Sequence, residues 1–329
     1  MRKITILSFF MGLCFAINAQ DSTNFEAYDP SQYEDGASVR KFCTQKVINQ
    51  TPTKLYGIGY EHNFGFKSSS IMDPSHNISG MGGLRINTSL LAISKNNFIL
   101  SLGLNSWSSK IRSSYTPIDT NMLQVYRNRM DAESFNVLAF KPLNEKNFII
   151  VQANIDMSTI DNKGDWAFTK SGLTFYGSAM YGWKKGDYRM LAIGVSRTYR
   201  MGRPLIVPIL LYNKTFNEHW GLECLFPARA HLRYNFSTNS MLLAGYELEG
   251  QQFDLVNSNK FLQRGEIKPR LVFEKKLKGY FWLSAQAGYR INGRFNLVDK
   301  YDGQEKDEVL KNNWGNSPFI NIGINLVSP

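Results

Sequence analysis

From Lys54 to the carboxyl end the chain alternates apolar and polar residues with a period of two, and almost nowhere shows a sustained helical period. In YFWLSAQAGYRING, residues 280–293, Phe281, Leu283, Ala285, Ala287, Tyr289 and Ile291 take one parity, while Ser284, Gln286, Gly288, Arg290 and Asn292 take the other. A strand with this pattern has one apolar and one polar face. The same alternation sets Tyr56, Ile58 and Tyr60 against Gly57, Gly59 and Glu61, and Ile320, Ile322 and Ile324 against Asn321, Gly323 and Asn325. The polar parity is rich in Gly, Ser, Asn, Gln, Arg and Glu, which suits a hydrated or polar-packed lumen. Two architectures accommodate such strands: a soluble barrel or sandwich with the apolar face inward, or an outer-membrane barrel with that face outward to lipid.

The amino-terminal MRKITILSFFMGLCFAINAQ narrows the choice. Arg2 and Lys3, an apolar run from Ile4 to Ile17 and a small residue at Ala19 have the form of a secretory signal peptide, residues 1–19. Beyond Ala19 no run is long and apolar enough for a membrane helix, so residence in a membrane requires a closed barrel. Of three cysteines only Cys43 and Cys224 remain after cleavage, which excludes a disulfide-rich scaffold and a cysteine-built zinc cluster. Cys224 shares the parity of Leu222 and Phe226 whereas Cys43 lies in a polar lead, so the two are expected to be unbridged. Removing Arg2 and Lys3 from the net charge of +11 leaves +9, spread without a polybasic block. Nucleic acid fits that pattern poorly; an anionic surface such as lipopolysaccharide, or anionic solutes, fits it better.

Connections alternate in length. Short polar turns fall at 94–97, 144–147, 184–187, 217–219, 237–239 and 276–279, and longer stretches at 68–79, 114–133, 161–171, 254–264 and 300–315. Short periplasmic turns and longer extracellular loops describe an all-β, closed, antiparallel transmembrane barrel of about fourteen strands over residues 54–329, with both termini periplasmic. Twelve strands is the nearest alternative, because Pro227 divides a short pair and Asn292-Gly293 is a strong hairpin signal. Aromatics beside the short turns, Phe98, Phe148, Tyr181, Trp183, Tyr188, Phe216, Trp220, Tyr234, Phe236, Tyr280 and Phe281, read as a headgroup girdle. Residues 20–53 read as a polar periplasmic segment and are expected to form a loose tail.

A signal ending in NAQ, a polar lead, PLIVPILLYNKTFNEHWGLECLFPARAHLRYNF and then LLAGYELEG together resemble the uncharacterised outer-membrane β-barrel proteins of the Bacteroidetes type, a family of unknown function. The resemblance covers most of the mature chain. It implies export to the outer membrane, contact with its lipid and lipopolysaccharide, and delivery by the barrel-assembly machinery. The chain departs from the usual terminal aromatic by ending INLVSP.

The chemistry of a barrel-borne hydrolase is missing from the pattern. No histidine lies two residues from a serine, and no Walker loop, dinucleotide fingerprint, EF-hand loop or clustered metal ligands appears, so neither an enzyme nor a cofactor is expected. Carboxylates on the polar parity, among them Glu61, Asp156, Glu223, Glu247, Glu249 and Glu274, are expected to pair with basic groups across a lumen. Candidate lumen-lining residues are Arg85, Glu223, Arg229, His231, Arg233, Glu247, Glu249, Arg270, Gln286 and Arg290. Arg229, His231 and Arg233 form a column expected to pair with Glu223 on one side and with Glu247 and Glu249 on the other. The function this suggests is a narrow pore or structural barrel leaning to anions and open to small solutes. The alternative is a secreted or periplasmic soluble β-barrel or sandwich binding an apolar ligand.

Overall fold

The computed structural model describes residues 41–161 and 170–328; the expected signal peptide and the first part of the polar lead lie outside the described residues. Strands β1 Lys54–Asn63, β2 Phe66–Ser70, β3 His76–Ile78, β4 Gly80–Lys95 and β5 Phe98–Arg112 precede a helix, α1, Thr120–Arg127. There follow β6 Arg129–Pro142, β7 Asn147–Asp161, β8 Leu173–Lys185, β9 Arg189–Thr198, β10 Leu205–Thr215, β11 Trp220–Phe226 and β12 Arg229–Ser237. The last are β13 Ser240–Leu255, β14 Lys260–Lys278, β15 Phe281–Val298, β16 Glu308–Trp314 and β17 Ser317–Val327.

Strand β1 pairs antiparallel with β4 on one side, Ile58 opposite Ile86, and with β17 on the other, Ile58 opposite Ile324. With β4 to β15 paired in succession and β15 joined to β17, the sheet closes into an antiparallel barrel of fourteen strands. No edge is left unpaired in the ring. The other three strands form a small sheet at the long-loop end, where β16 joins the upper part of β15 to β2, and β2 to β3.

The alternation decides which face points out. Ile58, Tyr60, Ile193, Val195, Ile320, Ile322 and Ile324 are exposed on the outer surface, while Glu61, Asn63, Asp156, Arg233, Lys268 and Arg290 are buried inside. This overturns the soluble alternative, which needs the apolar parity inward. Among the described residues no helix is long and apolar enough to cross a membrane. The aromatic band at the short-turn end is outward as expected at Tyr181, Trp183, Tyr188, Phe216, Trp220, Phe236, Tyr280 and Phe281. Phe148 is the exception: it shares parity with Ile150, points inward and is fully buried.

Local signals were overridden where neighbouring strands supplied pairing. Strand β15 continues through Asn292-Gly293, because Asn292 stands opposite Glu266 and Arg294 opposite Gly265, with Gly293 the extra residue of a bulge in β15. Ladder bonds on both sides of the dipeptide outweigh its turn preference. The expected loop 254–264 shrinks to a tight connection as β13 reaches Leu255 and β14 starts at Lys260. In the loop 114–133, Asp119 caps α1 by accepting from the Met122 amide at 2.8 Å, and Met122, Val125 and Tyr126 turn into the barrel mouth.

The interior is layered. At the long-loop end Trp107, Met122, Ile160, Phe253, Leu262, Phe295 and Trp314 belong to one apolar core. The β13–β14 hairpin reaches across this end, so that Asp254 and Leu255 pair in parallel with Thr159 and Ile160 of β7, six strands away around the ring. At the short-turn end residues 41–53 depart from the expected loose tail. Val47 and Cys43 pack with Phe140, Phe148, Met180, Met190 and Ala192. Backbone bonds tie Cys43 to Asn144 and Ile48 to Asp187, and Lys184 donates to the Thr44 and Lys46 carbonyls at 3.2 and 2.6 Å. The segment is held because its polar backbone meets turn carbonyls and inward side chains that would otherwise lack partners. Cys43 and Cys224 are both free thiols.

Candidate functional site

Between the two apolar ends lies a charged middle layer. Its members alternate along strands: Glu61 on β1, Arg85 on β4, Glu247 and Glu249 on β13, Arg264, Glu266, Lys268 and Arg270 on β14, and Arg290 on β15. Residues two apart on a strand share a face, so each run delivers its charges to the interior. Lys268, with no exposed side-chain surface, donates to Glu61 at 2.8 Å and to Glu249 at 2.9 Å, and lies 3.7 Å from Glu266. Arg85 reaches Glu249 at 2.5 Å and Glu61 at 3.0 Å. Glu266 accepts two bonds from Arg264, at 2.5 and 3.1 Å, and one from Arg290 at 3.2 Å. Arg290 also donates to Ser317 and to the Gly315 carbonyl.

Burying such groups singly would be prohibitive; paired and hydrogen-bonded, they are tolerated. Aromatic faces add to the support, with the Arg264 guanidinium 4.6 Å from the Trp107 ring and that of Arg290 4.3 Å from Phe66.

Of the residues proposed from sequence, Arg85, Glu247, Glu249, Arg270 and Arg290 lie in this layer, and Gln286 joins it by accepting from Arg270 at 3.2 Å. The expected column on β12 divides. Arg233 is fully buried and donates to Glu223 at 2.7 Å and to Thr215 at 3.0 Å. It lies across Gly221, where a Cβ would sit 2.3 Å from the guanidinium. His231 is buried with its Nε2 lacking a partner. Arg229 is exposed, and among the described residues no carboxylate lies within ion-pair distance of it. Glu247, opposite Arg229 in register, bonds instead to Arg270, and Glu249 to Arg85 and Lys268. The expected pairing across β12 and β13 is therefore corrected: β14 and β4 present closer cations to the same two carboxylates.

Glu223 has a second set of partners, the amide and hydroxyl of Thr51, at 2.9 and 2.8 Å. It thereby ties residues 41–53 to the barrel wall. Other polar-parity carboxylates also find partners: Glu274 pairs with Lys54 at 2.5 Å and Asp156 accepts from the Tyr176 hydroxyl at 3.0 Å. Lys268, Glu266 and Arg264 were missed, although RGEIKPR, residues 264–270, carries their spacing plainly. Arg200 was missed too; it lies in the β9–β10 connection, just past the end of β9. A cavity of about 220 Å³ opens in this layer, lined by Arg85, Asn105, Trp107, Asp156, Tyr176, Arg200, Glu249 and Arg264 among others.

The Domain of unknown function (DUF6268) matches residues 78–327, which run from the end of β3 to the end of β17. The chain belongs to the DUF6268 family. Among solved structures, this DUF6268 chain is similar to the COG4313 outer membrane channel from Pseudomonas putida F1, at 10% identity and a TM-score of 0.42, over 85% of this chain and 97% of that one. It is also similar to the toluene transporter TodX of P. putida, at 9% identity and a TM-score of 0.39, over 83% of this chain and 90% of that one. No curated protein sequence matches it.

Proposed function

We propose that this DUF6268 protein is an outer-membrane barrel with a narrow, charge-lined lumen that passes small solutes and favours anions, and that it is described here closed. The carrying observation is where positive charge is left over. Carboxylates of the middle layer are matched at short range, whereas Arg200 comes no closer than 3.6 Å to Glu247 and Arg229 has no carboxylate within ion-pair distance among the described residues. Incompletely neutralised cations in a confined lumen favour anions. The apolar outer belt with aromatics at its short-turn end supports a bilayer setting in contact with lipid and lipopolysaccharide, and the signal-like amino terminus supports export and insertion by the barrel-assembly machinery. On this reading residues 41–53 close the periplasmic mouth, and the long-loop core closes the other.

Planar-bilayer recording tests the proposal. Brief, low-conductance openings selective for anions are expected, with conductance rising when residues 41–53 are deleted and selectivity moving toward cations when Arg200 and Arg229 are both replaced by Glu. A strong cation preference in the wild type, or a barrel still silent after the deletion, overturns it.

A further inference from the structure

Beside the polar cavity lies a second one of about 100 Å³ with a different character. Its walls include Met201, Leu205, Val207, Ile209, Leu225 and Leu248. It exists because β10 is apolar on its inward parity for most of its length. PLIVPILLY is apolar on both parities, so Leu205, Val207 and Ile209 line the interior while Ile206 and Leu210 remain outside. The cavity sits at the turn between the two shortest strands of the ring, β11 and β12, where the Ala228 carbonyl accepts from the Leu248 amide at 2.8 Å.

The apolar and polar cavities share Tyr176, Thr198 and Arg200 in their walls. Arg200 thus stands at the border between them. Its guanidinium donates to the Leu248 carbonyl at 2.6 Å and lies 3.6 Å from Glu247. The other charges of the polar cavity have partners as well: Asp156 accepts from the neutral Tyr176 hydroxyl, while Glu247 is paired with Arg270, Glu249 with Arg85 and Lys268, and Arg264 with Glu266. Of the cations lining that cavity, Arg85, Arg200 and Arg264, only Arg200 has no carboxylate closer than 3.6 Å among the described residues, and a guanidinium so placed has capacity for an anion.

We infer that these joined cavities bind a small amphipathic anion, its carboxylate-like head at Arg200 and its short apolar chain among Leu205, Val207 and Ile209. At ~30 Å³ for each water-sized group, the apolar cavity holds about three to four methylene-sized groups. The size selects a short-chain carboxylate over a long-chain lipid. The inference rests on the barrel reading above and adds a ligand class to it.

Equilibrium dialysis of the full chain in lipid nanodiscs, against empty nanodiscs, tests it with pentanoate, acetate, pentan-1-ol and pentylamine. Pentanoate is expected to bind at least tenfold more tightly than any of the other three. Arg200→Gln, which removes the cation from a connecting loop, and Val207→Phe, which fills the apolar end, are each expected to weaken pentanoate about tenfold or more. Heat-dependent gel mobility confirms that each variant is folded, and the wild-type ligand series stands without them. Pentylamine or acetate equalling pentanoate, absence of pentanoate binding, or an affinity unmoved by either folded variant overturns the inference. Failure here with anion-selective conductance intact rejects the ligand site and leaves the channel standing; loss of conductance with binding intact does the reverse.

Discussion

The two ends of the barrel are closed by different means. At the long-loop end the closure is woven from the barrel itself: Phe253 and Leu262 of the β13–β14 hairpin, Phe295 of β15 and Trp107 of β5 bury their side chains together with α1. At the short-turn end it is made by a segment that belongs to no strand and is tied by separate hydrogen bonds at many places, among them the Asn144 and Asp187 turns, Lys184, Thr215, Glu223 and Asn235. Removing the first closure means unmaking strands; removing the second means breaking contacts one at a time. A segment outside the strand ladders opens at lower free energy than core strands, so the turn end is expected to undock first.

The largest expected effect tests the permanent end. Phe253→Ala removes a fully buried ring from the long-loop core and is expected to cost about 3–5 kcal/mol of unfolding free energy in denaturant titrations of the reconstituted barrel. Val47→Ala at the other end removes two methyl groups from a segment that can undock, and its effect on global unfolding is expected to be well under half as large. Equal losses would show that both ends unfold with the barrel and would remove the distinction.

Both closures lie inside one wall, and that wall must keep its faces. Ile322→Arg, on the exposed outer surface near mid-strand, is expected to cost roughly 2–4 kcal/mol in lipid, whereas Gln286→Arg on the inward face is expected to be tolerated. Similar losses for the two would mean that the outward apolar assignment fails.

The wall was legible in the sequence and the closures were not, for a physical reason. Strand alternation is a local property, so Lys54, Phe98, Asn147 and Val327 could be placed near strand ends from spacing alone. The charged layer was partly legible for the same reason, since Arg85, Glu247, Glu249, Arg270 and Arg290 each sit on a polar parity. Which carboxylate meets which cation depends on distances across strands, and there Arg229 was wrongly credited with Glu247. Near the turns the inward parity becomes apolar, as at Phe148, Met190 and Trp282, and alternation no longer distinguishes the faces. Residues 41–53 have no period at all; their place follows from partners more than a hundred residues away in many cases, such as Thr51 with Glu223.

A smaller effect addresses the movable end. Lys184 is almost fully buried and gives its ammonium to the carbonyls of Thr44 and Lys46. Lys184→Met keeps the apolar stem and removes the charged donor, a loss of about 1.5–3 kcal/mol for hydrogen bonds to a charged group. Hydrogen exchange at the Cys43 and Ile48 amides is expected to speed up roughly 10–100-fold, while amides in β13 and β14 stay protected. Uniform acceleration everywhere would mean that the segment and the barrel open as one unit.

The smallest effect is a pH dependence confined to the same segment. Burial lowers the Lys46 ammonium to about 8, with the Glu223 carboxylate opposing the shift. When the segment undocks, Lys46 returns toward the ordinary lysine value of ~10.4, so above pH 8 the undocked form binds more protons than the docked one. Docking therefore strengthens as pH rises from about 8 toward 10, and below 8 it is insensitive to this group. Cys43 acts oppositely, because burial raises its thiol, so that ionisation favours the undocked form once pH passes the ordinary thiol value. A Cys43→Ser background removes that contribution, leaving Lys184, Asp187 and Glu223 as the charged groups facing the segment. Between pH 7.5 and 9, protection of the Thr51 amide, corrected for intrinsic exchange, is expected to rise roughly fivefold, about 1 kcal/mol of the linkage. The rise should vanish in the Lys46→Gln form of the same background. A rise that persists there would assign the pH response to another group and leave Lys46 as an ordinary surface lysine.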